Sequence, residues 1–97
     1  MQKGKQQPSP ELAGFLNHLL SVRGLSINTH NSYKLDLLAV ERVLKAPLKG
    51  LTSTHIKTYL ENFQDKHPHT QSRHLSALRQ FFVYLIQQNV REDDPTE

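Results

Sequence analysis

The sequence has no cysteine, which removes disulfides, thiolate metal ligands and a thiol nucleophile together. That suits a reducing compartment. No apolar run approaches the roughly 20 residues of a membrane span, and no signal-peptide pattern opens the chain. Sustained apolar–polar alternation and Gly-rich hairpin signals are also missing, so nothing argues for a sheet. Neither a phosphate-cradling Gly-rich loop nor a nucleophile elbow is present, and no pair of carboxylates stands in a catalytic arrangement. Secreted, membrane-spanning and zinc-finger classes are disfavoured, and so is catalysis by this chain alone.

What remains is a short basic chain. Its 97 residues suit one small domain with one modest core. Apolar residues make up 36%, enough for helices that each bury one face. The chain carries 12 Lys+Arg against 9 Asp+Glu, a formal charge of +3. Glu92, Asp93, Asp94 and Glu97 hold four of those acids, so residues 1–91 have 12 basic and 5 acidic groups. Six histidines add charge below neutral pH. A basic body with an acidic tail points toward a polyanionic partner.

Punctuation divides the chain into four helices. Residues 1–8 are polar, basic and without an apolar period, and read as a flexible arm. Ser9-Pro10-Glu11 is a helix start, followed by the stripe Leu12, Phe15, Leu16, Leu19 and by Arg23 and a Gly24 cap. Ser26 caps a second helix on Tyr33, Leu37, Val40 and Leu44, ending before Ala46-Pro47. Thr52 caps a third on Ile56, Tyr59, Leu60 and Phe63, which Asp65–His69 breaks. The fourth runs from about Pro68 or Thr70 to Gln88 on Leu75, Leu78, Phe82 and Leu85, with Asn89 as cap. The expected fold is an all-α, small four-helix orthogonal bundle over residues 9–90. Residues 91–97 then read as the acidic start of a linker.

Several of these segments resemble the tyrosine recombinase (phage integrase) family, and together they span about residues 9–97. Leu25-Ser26-Ile27-Asn28-Thr29-His30-Asn31-Ser32-Tyr33-Lys34-Leu35-Asp36-Leu37 is similar to its LSxNTxxSYxxDL stretch. Arg73-His74-Leu75-Ser76-Ala77-Leu78-Arg79-Gln80-Phe81-Phe82-Val83-Tyr84-Leu85 resembles its RxLSALRxFFxYL helix. Arg91-Glu92-Asp93-Asp94-Pro95 looks like the segment that closes the domain in Xer-type, particularly XerD-like, members. The resemblance implies a SAM-like core-binding domain that grips a recombination half-site on double-stranded DNA. It implies as partners a C-terminal catalytic domain and further protomers in a tetrameric synapse. It also implies a cytoplasmic location, on the nucleoid when bound to DNA, and no cofactor. The catalytic residues would lie in the second domain, so the chain is expected to be a fragment of a longer enzyme. Two departures stand out. Where the family often has two basic residues after the tyrosine, this chain has Lys34 and Leu35, and Lys66–Thr70 replaces a Gly/Ser-rich turn.

Helical geometry supports a binding face independently. Opposite the core stripe of the second helix stand Asn28, Asn31, Ser32 and Leu35; opposite that of the fourth stand Thr70, Arg73 and Ala77, with His74 on the flank. Small polar and basic side chains at helix N-termini suit a major groove and its phosphates. The resemblance implies DNA contacts at Asn28, Thr29, Asn31 and Ser32, and at His69, Thr70, Arg73 and His74 where the fourth helix starts, and Lys34 joins these candidates as a phosphate contact. Arg73, with no acid at i−4 or i+4, is the candidate for a bidentate contact to guanine or phosphate. Lys3 and Lys5 would add phosphate neutralisation. Thr29 and Asn28 also fit plain helix-start roles, and Arg79 is expected to pack or pair locally. His67-x-His69 lacks the further ligands of a metal site, and the three tyrosines read as packing residues. The alternative function is a SAM-like protein–protein interaction module whose outward faces meet protein.

Overall fold

The computed structural model describes residues 9–62 and 68–96. Four α-helices follow one another there: α1 (Pro10–Ser21), α2 (Ile27–Leu44), α3 (Ser53–Asn62) and α4 (Pro68–Gln87). No strand occurs among the described residues, as the all-α reading expects. A single 3-10 turn at Leu48–Gly50, between α2 and α3, was not foreseen.

The helices begin where side chains satisfy their first N–H groups. Ser9 Oγ accepts from the Leu12 N–H at 3.3 Å, with Pro10 in the first helical position. Ser26 Oγ accepts from the Thr29 N–H at 3.2 Å. At α3 the cap is reciprocal. Thr52 Oγ1 accepts from the His55 N–H at 3.3 Å, while the Thr52 N–H donates to His55 Nδ1 at 3.0 Å. His55 thus takes the place that Glu or Gln holds in a capping box.

Left-handed residues end three of these segments: Gly24 (φ 65°), Lys45 (φ 54°) and Asn89 (φ 61°). Gly24 takes this conformation without the Cβ clash that other residues meet. At Asn89 two bonds close α4, Val90 N–H to Leu85 O at 2.9 Å and Asn89 N–H to Ile86 O at 3.0 Å. These satisfy carbonyls that the helix end would orphan. Helix α1 ends before Arg23, whose Nη1 instead donates to Gln80 of α4 at 3.0 Å.

One core joins all four helices. Leu12, Phe15, Leu16 and Leu19 meet Leu37 and Val40, Ile56 and Tyr59, and Leu78, Phe82 and Leu85, all buried. Each such large side chain contributes about 1.5–3 kcal/mol through burial. Tyr33, Leu44, Leu60 and Leu75 pack half-buried at the edge, and Phe63 lies outside the described residues. The apolar face of α4 is wider than its heptad-like stripe suggested, since Phe81 and Ala77 are buried as well. Ala77 therefore does not belong to the outward face, because α4 turns this small side chain toward α2. Phe15 takes Tyr33 and Phe81 edge-on, at centroid distances of 5.9 and 5.5 Å. Gly14 permits the α1–α4 approach: Tyr84 Oη lies 2.7 Å from where a Cβ would stand.

Residues 91–96 return to the bundle. Arg91 donates to the carbonyls of Lys49 (3.0 Å) and Leu51 (2.7 Å) and to both carboxylate oxygens of Asp93. Its guanidinium stands 5.1 Å from the centre of the Phe82 ring, and Pro95 is buried. Arg79 is exposed. Among the described residues no helix is long and apolar enough to cross a membrane.

Candidate nucleic-acid interface

The N-terminal half of α2 and the second and third turns of α4 flank an open cleft of about 290 Å³. Asn28, Thr29 and Ser32 line it from α2, Arg73 and Ser76 from α4, and Asp36 closes its inner end. The 3.6-residue repeat explains the assembly: Asn28, Ser32 and Asp36 recur every four positions, and Arg73 and Ser76 are three apart. Neither α2 nor α4 has an acid in its first turn. The partial positive charge of the α2 N-terminus, beside Asn28 and Thr29, thus meets no acid within its own first turn.

The candidate residues divide by position. Asn28 and Ser32 are exposed in the cleft, and Thr29 is half-buried there. Thr29 Oγ1 also accepts from Ser26 Oγ at 3.1 Å, so its hydroxyl belongs partly to the helix cap. Asn31 is exposed but outside the cleft lining, and its Oδ1 meets His30 Nδ1 at 3.0 Å. Lys34 is half-buried in a separate recess against α1, with Leu16 and Asn17. His69 is exposed and Thr70 half-buried in the first turn of α4. Lys3, Lys5 and His67 lie outside the described residues.

His74 faces inward. It is 5% exposed, its Nδ1 meets the hydroxyl of buried Tyr59, and its Nε2 stands 3.4 Å from Asp36 Oδ1. The flank position read from helical phase is therefore resolved toward the core, and His74 does not form part of the outward face. A carboxylate only accepts, so Nε2 carries the proton toward Asp36 and Nδ1 accepts from the tyrosine O–H. Burial, the largest influence, holds the imidazole below its usual pKa; the Asp36 charge opposes that effect and Arg73 reinforces it. Burial likewise raises the Tyr59 phenol, so it stays a donor.

Arg73 is not unpaired. Asp36 accepts from its Nε and Nη2, both at 3.0 Å. The Asp36 side chain is 5% exposed and that of Arg73 62%. The acid missing from i−4 and i+4 along α4 is supplied by α2, 37 positions away. Asp36, Tyr59 and Ser76 were not among the sequence candidates. Helical phase could have found Ser76, one turn after Arg73 on the same face. For Asp36 the available signal was its place one turn after Ser32.

Among the described residues no group of three or more His, Asp or Glu side chains could hold a metal. The arrangement offers hydroxyl, amide and guanidinium donors to an anion or a base edge.

Comparison with known proteins gives one family. Residues 12–89 match the model for the phage integrase N-terminal SAM-like domain. Among curated proteins, tyrosine recombinase XerD of Brucella abortus biovar 1 is 39% identical over 90 residues, covering 88% of this chain and 29% of its own. Tyrosine recombinase XerD of Yersinia pestis is 38% identical over 97 residues, covering 95% of this chain and 32% of its own. Tyrosine recombinase XerC of Listeria welshimeri is 32% identical over 87 residues, covering 84% and 29%. No solved structure gives a significant match.

Proposed function

The chain belongs to the phage integrase N-terminal SAM-like domain family, and from that premise we propose that it is the DNA-gripping domain of a Xer-type tyrosine recombinase. It spans about 30% of the length of the curated relatives described above. The catalytic residues then belong to a second domain, and this chain holds a half-site of double-stranded DNA while that domain attacks a phosphodiester. The full enzyme would work in the cytoplasm, with its protomers in a tetrameric synapse. Residues 1–8 would serve as a basic arm along the DNA.

The observation that carries this reading is the α2–α4 cleft. The first two turns of α2, with no acid in the first, meet the second and third turns of α4 there, bringing together Asn28, Thr29, Ser32, Ser76 and the exposed end of Arg73. Backbone N–H groups and hydroxyls suit phosphate oxygens, which position a duplex, and amide and guanidinium groups suit base edges, which specify it. The contact set is donor-rich.

Titration of the chain with a DNA duplex over a range of salt concentrations tests the proposal. Phosphate contacts release counterions, so affinity should fall steeply as salt rises. Amide shifts should cluster at residues 28–36 and 69–77. Salt-insensitive behaviour, or shifts confined to α1 and α3, would replace the DNA reading with a protein partner. A suicide substrate should yield no covalent adduct with this chain.

A further inference from the structure

We propose that Asp36 is a positioning residue for DNA recognition, holding the Arg73 guanidinium so that its outer edge faces the cleft. The inference rests on the DNA-binding reading of that cleft and adds an acid to it. A buried carboxylate in a DNA-binding face would ordinarily repel its ligand. Here both of its oxygens are committed to one edge of Arg73, through Nε and Nη2 at 3.0 Å each.

An arginine has two edges that can grip two oxygens at once. Asp36 takes the side-on edge formed by Nε and Nη2. Donors on Nη1 and on the far side of Nη2 remain, and these form the end-on pair that fits a phosphate or guanine O6/N7. With 62% of the Arg73 side chain exposed, that pair is the part left for a ligand. Fixing the fork in advance avoids part of the side-chain entropy otherwise lost on binding.

Asp36 is itself held. His74 Nε2 lies 3.4 Å from Oδ1, and Tyr59 meets the other face of that imidazole through Nδ1. Three helices, α2, α3 and α4, thus fix one surface cation through buried partners. The supports are buried and the cation emerges. This arrangement suits orientation rather than neutralisation, because an exposed arginine needs no buried partner to be solvated.

Asp36→Asn gives opposite expectations for charge and for orientation. It raises the formal charge of the chain from +3 to +4, so long-range attraction alone predicts tighter duplex binding. The positioning role predicts binding weaker by about tenfold, the order of one lost bidentate contact. Fluorescence anisotropy with a short DNA duplex at low salt reads the difference, with circular dichroism reporting the folded fraction. The same substitution made in Arg73→Ala should cost nothing further, since Asp36 acts through Arg73. Unchanged or tighter binding by Asp36→Asn overturns the proposal, and so does an equal loss in both backgrounds. Should Asp36→Asn not fold, Arg73→Lys keeps the charge and removes the fork. It should lose nearly as much affinity as Arg73→Ala, and full affinity would overturn the proposal. A wild-type chain that fails to bind duplex overturns both readings, whereas salt-dependent wild-type binding with an indifferent Asp36→Asn removes only the positioning role.

Discussion

Burial keeps the His74 imidazole neutral, and that makes the fold sensitive to pH. In the unfolded chain the ring titrates near 6.5, and in the folded protein its pKa is lowered, chiefly by burial. Below about pH 6.5 the unfolded state therefore binds more protons than the folded one, and stability rises with pH there. The contribution is complete above the unfolded value and is lost as pH falls through the folded one. Urea midpoints should be lower at about pH 5 than at about pH 7, and His74→Gln should flatten the difference. An undiminished difference in the variant would show that other groups cause it. Helical phase sets His74 about 100° from both Arg73 and Leu75, so phase alone does not choose between groove and core. Tyr59 and Asp36, on two other helices, make that choice. Long-range partners of this kind leave no local pattern in a sequence, which is why the buried network escaped while Asn28, Ser32 and Arg73 did not.

At the scale of the element, helix starts are decided by one or two side chains. Ser9, Ser26 and Thr52 are legible as caps because their chemistry is local and contiguous in sequence. The 3-10 turn at Leu48–Gly50 was not legible, because it depends on Leu48 and Leu51 being buried by the rest of the molecule. The starting turn of α3 offers a sharp case. The ten described residues of α3 are too few to be stable alone, so its formation leans on packing and on the Thr52–His55 cap. Thr52→Ala removes the acceptor for the His55 N–H and should cost about 1 kcal/mol. Thr52→Ser, which keeps the hydroxyl, should cost much less. Thermal unfolding of both variants checks this, and equal melting temperatures would mean that the cap contributes nothing measurable.

At the scale of the whole molecule, Asp93 of the acidic end is held away from the cleft. Arg91 ties residues 91–96 to the Lys49 and Leu51 carbonyls and lies over Phe82. Phe82 is nine positions beyond Arg73 on α4, about 13 Å along the axis and on the opposite side of the helix. Asp93 is bound to Arg91, whose hydrogen bonds hold its carboxyl below the ordinary value of 3.8. The separation exceeds the screening length of about 8 Å at physiological salt. Asp93 therefore acts little on an anion at the α2–α4 cleft. Ending the domain at residue 90, where helical periodicity stops, leaves out this anchor, whose partners are backbone carbonyls no sequence pattern marks. A chain ending at Val90 raises the formal charge from +3 to +6 but loses the Arg91 bonds. It should be less stable by about 1.5–3 kcal/mol, the range for hydrogen bonds to a charged group. Its affinity for duplex, corrected for the folded fraction at near-physiological salt, should change by less than about threefold, because the removed Asp93 is screened from the cleft. Arg91→Ala in the full chain should reproduce the loss of stability. Unaltered unfolding of the shortened chain would show that the segment is a free linker, and a large gain in affinity would show that its acids do reach the cleft.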